Sequence, residues 1–263
     1  MVSATTTLSA VGYARVEIDG RAATSDRLAA AALVNYGHYS TMQIRDRAVR
    51  GLDLHLARLQ TATRELFDAD LDPERVRDHL RHCLGDDHPD ATGRITIFDD
   101  GAEEPAVLVA IRAPDEPSTQ PARLRSVRYL RPVAHLKHVG SFAQIYYGIQ
   151  AERDGYDDAL LVDSDGSIAE TTIANIAFGY GGAVVWPDAP TLPGTTMQLL
   201  EPRLASRRRQ VRLVELPIFD AAFITNSRGV TPVGRIDDVV IPVDDRLMRE
   251  VVTAYESVPW DPI

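Results

Sequence analysis

The chain has 263 residues, of which 44% are hydrophobic and 25% are charged, and its formal net charge is −10 at pH 7. This length and apolar content suit one large domain or two modest ones, each with its own hydrophobic core. The negative charge argues against nucleic-acid partners and against anionic membranes, because binding to phosphate groups requires a basic surface.

The sequence is expected to belong to a cytoplasmic protein, because it shows no recognisable signal peptide or membrane span. The N-terminal sequence has neither a basic start nor an apolar run of signal-peptide length, and no segment reaches the roughly 20 apolar residues that span a membrane. Cys83 is the only cysteine, so an internal disulfide and a cysteine-based zinc cluster are excluded, and a buried structural thiol is favoured over a nucleophile. We expect a cytoplasmic protein and predict no metal site.

Periodicity and turn residues predict alternating strands and helices in the first part of the chain. Leucines at helical spacing and an Asp-Pro start are the two clearest signals there. The predicted elements are a hairpin strand over 11–18, a strand over 33–44, helices over 51–67 and 73–84, and strands over 94–98 and 106–111.

A proline-rich segment at 113–122 has no periodicity and is interpreted as a linker. We therefore divide the chain into an N-terminal α/β subdomain (1–112), this linker, and a C-terminal subdomain (123–263). The elements predicted after the linker are a strand near 124–129, a helix over 141–154, short strands within 159–187, a helix opened by Gly194 within 192–210, strands over 211–216 and 222–226, a loop over 227–233 and a helix over 245–256. The fold class is α/β or α+β with two subdomains.

Lys137 is the only lysine, and all other residues among the 28 Lys and Arg are arginines. Arginine stays charged, whereas a partly desolvated lysine can lose its proton and attack a carbonyl carbon to form a Schiff base. Lys137 is therefore a candidate for amine chemistry. The chance survival of one lysine under compositional bias is the alternative that the sequence leaves open.

A Schiff base requires an aldehyde, and pyridoxal 5'-phosphate is the most common aldehyde cofactor of this kind. Thr195 and Thr196 open a predicted helix, where free N–H groups and the helix dipole favour a phosphate, and Arg58 could add a charge-assisted contact. Glu170 is the candidate carboxylate for the pyridine nitrogen. Each also has a simpler interpretation, namely helix capping for the threonines, a solvated arginine for Arg58 and a charged strand edge for Glu170.

Six motifs occur in one order along roughly residues 33–240. They are H-x-x-R-L at 55–59, the lysine followed by a helix, G-Y-D-D-A-L-L at 155–161, D-G-x-x-x-E-x-x-x-x-N at 165–175, L-x-G-x-T at 192–196 and V-T-P-V at 230–233. In this combination the chain resembles the class IV aminotransferases, or fold-type IV pyridoxal-phosphate enzymes, which include D-amino-acid and branched-chain aminotransferases and aminodeoxychorismate lyase.

This resemblance implies roles for particular residues. Lys137 would carry the Schiff base and move the substrate proton, Glu170 would pair with the pyridine nitrogen, and Tyr39 would lie near the lysine and the substrate. His55 receives no catalytic role. The residues implied to bind the cofactor are Arg58, Lys137, Glu170, Leu192, Thr195, Thr196 and Asn226. The resemblance also implies a two-subdomain architecture with the active site between the subdomains, and a homodimer in which loops of the partner subunit close the pocket.

The chain departs from the family pattern near the expected substrate site. The turn Asp99-Asp100-Gly101 replaces a Ser/Thr-Arg-Gly turn, and a buried carboxylate there would repel a substrate carboxylate by several kcal/mol. The glycine-rich segment before Tyr39 is two residues shorter, Gly140 replaces an asparagine, and Asn226 replaces a hydroxyl residue. Arg228 could recognise an acidic substrate instead, although a solvated surface arginine is the simpler interpretation.

The leading functional hypothesis is a transaminase that moves an amino group from an amine or amino acid to an oxo acid through the Lys137 Schiff base. An aminodeoxychorismate-lyase-like enzyme that releases pyruvate is the alternative, favoured by Lys137-His138 and by the hydroxyls of Ser40 and Thr41. A third hypothesis is a protein of this fold that binds a cofactor or partner without turnover.

Overall fold

The structure is a computed structural model that describes residues 12–263, and the chain divides into two compact units. The first, here called the lysine unit, extends to Asp115 and also contains Leu136–Ser141 and Pro259–Ile263. The second, the glutamate unit, contains Glu116–His135 and Phe142–Val258. This division differs from the one drawn from sequence at two places, because the segment with Lys137 and the C-terminal residues pack with the lysine unit.

The lysine unit is an antiparallel sheet with two long helices. Its elements are β1 (Tyr13–Ile18), β2 (Arg21–Ala22), α1 (Ser25–Val34), β3 (Gly37–Ile44), β4 (Ala48–Arg50), α2 (Leu52–Phe67), α3 (Pro73–Leu84), β5 (Ala91–Phe98) and β6 (Ala106–Arg112), with a C-terminal strand, Trp260–Pro262, paired to β4. The sheet has the strand order β2-β1-β6-β5-β3.

Helix α2 positions Arg58 because its apolar residues recur on one face. Leu52, Leu56 and Leu59 are buried in the core of the unit with residues from β3, β5 and β6. Each such leucine contributes roughly 1.5–3 kcal/mol through burial. This packing fixes the rotation of the helix and with it the direction of Arg58.

The glutamate unit is a larger mixed sheet with three helices. The elements are β7 (Ala122–Arg128), α4 (Phe142–Arg153), β8 (Asp158–Val162), β9 (Ile168–Thr171), β10 (Asn175–Tyr180), β11 (Ala183–Pro187), α5 (Thr195–Leu200), β12 (Ser206–Arg209), β13 (Ala221–Asn226), β14 (Gly229–Ile236), β15 (Val239–Val240) and α6 (Asp245–Glu256). The strand order is β12-β11-β10-β13-β14-β7-β8-β9, and a pairing of β9 with β10 closes six of these strands into a ring.

The mixed α/β class is confirmed, and so are the helices predicted over 51–67, 73–84, 141–154 and 245–256, each within one residue or two of its observed bounds. The N-terminal hairpin is also confirmed from Tyr13 onward, while Val11 lies outside the described residues. No helix within residues 12–263 has the length and apolar character needed to cross a membrane.

Four predicted elements are wrong. The strand predicted from residue 33 begins at Gly37, because the alanine-rich stretch before it forms α1, which ends at Asn35 in the left-handed conformation. Helix α5 has only six residues, since Pro202 follows in a 3-10 turn, and the end of the predicted helix forms β12. The strand predicted over 211–216 is largely a 3-10 helix, Leu213–Ile218, and the loop predicted over 227–233 is mostly β14.

Candidate active site

In the lysine unit, backbone pairing holds Lys137 beside Tyr39. The Tyr39 N–H donates to the Lys137 carbonyl at 2.9 Å, and the Val139 N–H donates to the Gly37 carbonyl at 2.9 Å. The segment that contains Lys137 thereby pairs with the edge strand β3 through an antiparallel bridge between His38 and His138. The position of the lysine is thus set by a sheet edge.

The ring of Tyr39 lies close to two cationic side chains. The Nζ atom of Lys137 is 4.8 Å from the ring centroid, and the guanidinium carbon of Arg94 is 3.7 Å from it. Arg94 lies on β5 two residues from Thr96, the cross-strand partner of Tyr39, so both side chains project from the same face of the sheet. The face of the Tyr39 ring attracts both cations. Sequence reasoning did not identify Arg94, because the cross-strand register was not available from the sequence.

Arg58 is a desolvated cation. Its Nε atom is buried, and burial lowers the pKa of its guanidinium to about 10, an effect that the nearby phenol of Tyr39 partly offsets. The alternative of a fully solvated helix arginine therefore does not apply. A guanidinium that has lost part of its hydration is a favourable site for a charge-assisted contact with an anion.

His55 lies one turn before Arg58 on α2 and is buried. Its Nδ1 atom is 2.7 Å from the hydroxyl of Ser40. Burial lowers the pKa of His55 well below its usual value, and the charges of Arg58 and Lys137 lower it further. The imidazole is therefore neutral at physiological pH and takes part in a buried hydrogen bond with Ser40.

In the glutamate unit, Glu170 is a buried carboxylate held by two groups. Its Oε1 atom accepts a hydrogen bond from Arg131 Nη1 at 3.1 Å, and its Oε2 atom accepts one from the Leu192 N–H at 3.2 Å. Both side chains of the Arg131–Glu170 ion pair are 6% exposed. The interpretation of Glu170 as a charged strand edge is therefore wrong, and Arg131 is a functional candidate that sequence reasoning missed.

Asn175 braces the segment that carries Leu192. Its Nδ2 atom donates to the Leu192 carbonyl at 2.8 Å, and its backbone pairs with Glu170. A Cβ atom placed on Gly194 would lie 2.0 Å from Asn175 Oδ1. Only glycine fits at residue 194 while this brace is in place, which explains the Leu-x-Gly-x-Thr spacing.

The predicted phosphate residues occupy two adjoining segments of the glutamate unit. Thr195 and Thr196 are buried at the start of α5, and the Thr196 hydroxyl donates to the Asn226 carbonyl at 2.7 Å. Because this hydroxyl is engaged, Thr196 would contact an anion through its backbone N–H, since the N–H groups of a first turn have no acceptor within the helix itself.

Asp100 of the acidic turn is paired with a cation within the lysine unit. Asp100 Oδ2 accepts a hydrogen bond from Arg27 Nε at 2.6 Å, and Arg27 also pairs with Asp19 at 2.6 Å. The side chain of Asp100 is 8% exposed. The acid that replaces the family's arginine is therefore compensated by a cation from α1.

Within the lysine unit the structure brings Lys137, Tyr39 and Arg58 into one neighbourhood around His55. Within the glutamate unit it brings Glu170 together with Leu192, and Thr196 together with Asn226. These neighbourhoods correspond to the two halves of the residue set that the sequence predicted.

Comparison with known proteins gives the family. The family described as Amino-transferase class IV matches residues 37–236. The chain belongs to the class IV aminotransferases. Its matched region includes Lys137, Glu170 and every other predicted cofactor residue. No protein of curated function matches the sequence.

Solved structures share the fold of this class IV chain over most of its length. A putative 4-amino-4-deoxychorismate lyase from Legionella pneumophila has a TM-score of 0.79 and 20% identity, covering 90% of this chain and 96% of the other. A fold IV-transaminase from Curtobacterium pusillum has a TM-score of 0.75 and 22% identity, covering 86% of this chain and 88% of the other. A hypothetical aminotransferase from Mycobacterium tuberculosis in its PLP-bound form has a TM-score of 0.80 and 17% identity, covering 93% of this chain and 98% of the other.

Proposed function

We propose that this chain is a pyridoxal-phosphate-dependent transaminase that moves an amino group from an amine or amino acid to an oxo acid. The observation that carries the proposal is the position of the only lysine, which is paired to β3 with its amine 4.8 Å from the Tyr39 ring centroid and near the desolvated Arg58. A reactive amine beside an anion-binding cation is the combination that a phosphorylated aldehyde requires.

The chemistry of the side chains present fits this cofactor. Lys137 supplies the amine, Arg58 supplies a positive charge for the phosphate, and Glu170 supplies a carboxylate held by Arg131 for a protonated ring nitrogen. The first-turn N–H groups of Thr195 and Thr196, together with Asn226, supply further phosphate contacts, and Leu192 supplies an apolar contact for the ring. When bound, pyridoxal phosphate supplies a ring that accepts electrons from the substrate carbon.

Lys137 is proposed to transfer the substrate proton, and other residues hold the groups that take part in place. The Nζ atom of Lys137 would accept the proton from the substrate carbon and later return a proton. Glu170 keeps its place because Arg131 and the Leu192 N–H hold both of its oxygens. Tyr39 positions the lysine through their backbone pairing and through the contact of the amine with its ring.

A lyase that releases pyruvate is the second candidate, because one structural neighbour is described as a putative lyase and because Lys137 is followed by His138. One of the hydroxyls that favoured this candidate, that of Ser40, is fully buried and bonded to His55. Ser40 therefore gives less support to the lyase than the sequence alone suggested.

We further propose that the protein acts in the cytoplasm as a homodimer. Light scattering of the purified protein at micromolar concentration measures the oligomeric state, and the mass of a single chain would contradict the dimer.

The decisive experiment for the reaction is a donor screen. The protein loaded with pyridoxal phosphate is incubated with single amines or amino acids, with and without an oxo acid, and the products are separated by mass. A new amino acid that appears only when the oxo acid is present supports transamination. Pyruvate release from aminodeoxychorismate without any oxo acid would contradict transamination and support the lyase. The variant Lys137→Ala is the inactive control.

A further inference from the structure

Two hydrogen bonds between buried side chains join α2 to the edge strand β3 of the lysine unit. Ser40 Oγ lies 2.7 Å from His55 Nδ1, and His38 Nε2 lies 3.0 Å from Thr63 Oγ1. All four residues are at most 5% exposed. His38 and Ser40 are two residues apart on β3, so both side chains project from the face that α2 covers. The proposed function assigns no role to these hydrogen bonds.

Both imidazoles are neutral, so the two hydrogen bonds persist at physiological pH. Burial lowers the pKa of His38 to about 4, and burial also lowers the pKa of His55 well below its usual value. The Thr63 hydroxyl donates to the Leu59 carbonyl at 2.8 Å, so its oxygen accepts the hydrogen bond from His38 Nε2. The strand and the helix are thus joined at two points without a charged group between them.

The Ser40–His55 hydrogen bond lies beside the groups proposed to bind the cofactor. His55 lies three residues before Arg58 on the same face of α2, and the charges of Arg58 and Lys137 both act on its imidazole. On the strand, Ser40 directly follows Tyr39, whose backbone N–H donates to the Lys137 carbonyl. This hydrogen bond therefore connects the helix that carries the arginine with the strand that holds the lysine.

Building on the proposed function, we propose that His55 is a positioning residue, which sets the place of Arg58 relative to the Lys137 amine. Its hydrogen bond with Ser40 holds α2 at a fixed position against β3. The aldehyde and the phosphate of pyridoxal phosphate are attached to one rigid ring, so the amine and the guanidinium bind both groups only at a matching separation. A misplacement of about 1 Å between such groups can cost up to about a hundredfold, and buried hydrogen bonds between rigid elements prevent it.

The test compares pyridoxal phosphate with pyridoxal, which has the same aldehyde but lacks the phosphate. Both compounds are titrated into the cofactor-free protein, and their dissociation constants are measured by absorbance. The ratio of the constant for pyridoxal to that for pyridoxal phosphate reports how well the phosphate is bound while the aldehyde is engaged. The variants are Ser40→Ala, His55→Phe and the double variant.

The matched control is Thr63→Val, which removes the other hydrogen bond between the same strand and helix at a site more than one turn beyond Arg58. Urea unfolding measures the free energy of unfolding of every variant. A role limited to stability would lower this free energy in Ser40→Ala and Thr63→Val and would leave the ratio of the two dissociation constants unchanged in both.

We expect the ratio to fall about tenfold in Ser40→Ala and in His55→Phe. It should fall no further in the double variant, because the two side chains form one contact. Thr63→Val should keep the wild-type ratio although it loses stability. An unchanged ratio in Ser40→Ala, or an equal fall in Thr63→Val, would overturn the proposal. If His55→Phe does not fold, Ser40→Ala and Thr63→Val decide the question.

The same proteins separate this inference from the proposed function. If the ratio falls in Ser40→Ala but not in Thr63→Val, and the wild type turns over no donor, the proposed reaction fails and the positioning role stands. If the wild type transfers amino groups and the ratio is unchanged in Ser40→Ala, the reaction stands and the positioning role fails. A wild type that binds no pyridoxal phosphate would overturn both.

Discussion

The Arg131–Glu170 ion pair gives the sharpest prediction about the glutamate unit. Both side chains are 6% exposed, and Glu170 Oε1 lies 3.1 Å from Arg131 Nη1. Arg131→Met removes the cation but leaves the buried carboxylate, with the Leu192 N–H still donating to its other oxygen. Breaking a buried pair from one side costs about 3–5 kcal/mol, because the remaining charge is uncompensated. We therefore expect the free energy of unfolding to fall by that amount.

The assay is urea unfolding at pH 7, followed by far-UV circular dichroism, for the wild type, Arg131→Met, Glu170→Gln and the double variant. Because the double variant removes both charges, it should regain most of the stability that Arg131→Met loses. An unfolding free energy of Arg131→Met within about 0.5 kcal/mol of the wild type, or a double variant less stable than either single one, would refute the reasoning.

Three further predictions concern the same unit. Glu170→Gln should retain bound pyridoxal phosphate but slow substrate deprotonation in stopped-flow absorbance, and an unchanged rate would remove its assigned role. Gly194→Ala should lower the free energy of unfolding by about 1–3 kcal/mol, because its Cβ would displace Asn175; a neutral effect in urea unfolding would contradict this. Burial raises the pKa of Asp158 from 3.8 to about 6, so its folded state binds the proton more tightly than its unfolded state. The wild type should therefore lose on the order of 3 kcal/mol relative to Asp158→Asn as the pH rises from 4 to 7, and parallel stability curves would exclude that shift.

The residues of the lysine neighbourhood could be nominated from the sequence because local signals mark them. Arg58 lies on a helix whose leucines recur at helical spacing, and Lys137 is unique in the composition. What the sequence could not provide is the register of the sheet. Arg94 approaches Tyr39 only because β3 and β5 pair with Tyr39 opposite Thr96.

Long-range ion pairs could not be predicted from the sequence either. Arg131 and Glu170 are 39 residues apart, and Arg27 and Asp100 are 73 apart. Neither pair has a local pattern, so Glu170 could be interpreted as a strand edge and Asp100 as an uncompensated acid. Only the tertiary structure assigns each carboxylate its cation.

Errors in the predicted elements came from competing local preferences. Leu33 and Val34 favour a strand, but they end an alanine-rich helix, because helix propensity summed over the preceding residues is stronger. Pro202 stops α5 early and leaves the arginines after it to form β12.

The central claim is that Lys137 binds pyridoxal phosphate covalently, and the most direct test is absorption spectroscopy with chemical trapping. The purified protein is incubated with pyridoxal phosphate, its visible spectrum is recorded, and borohydride reduction is followed by peptide mapping. We predict a yellow protein whose reduced adduct maps to the peptide that contains Lys137, and no adduct in Lys137→Ala. A protein that stays colourless with added cofactor, or an adduct that maps elsewhere, would contradict the account.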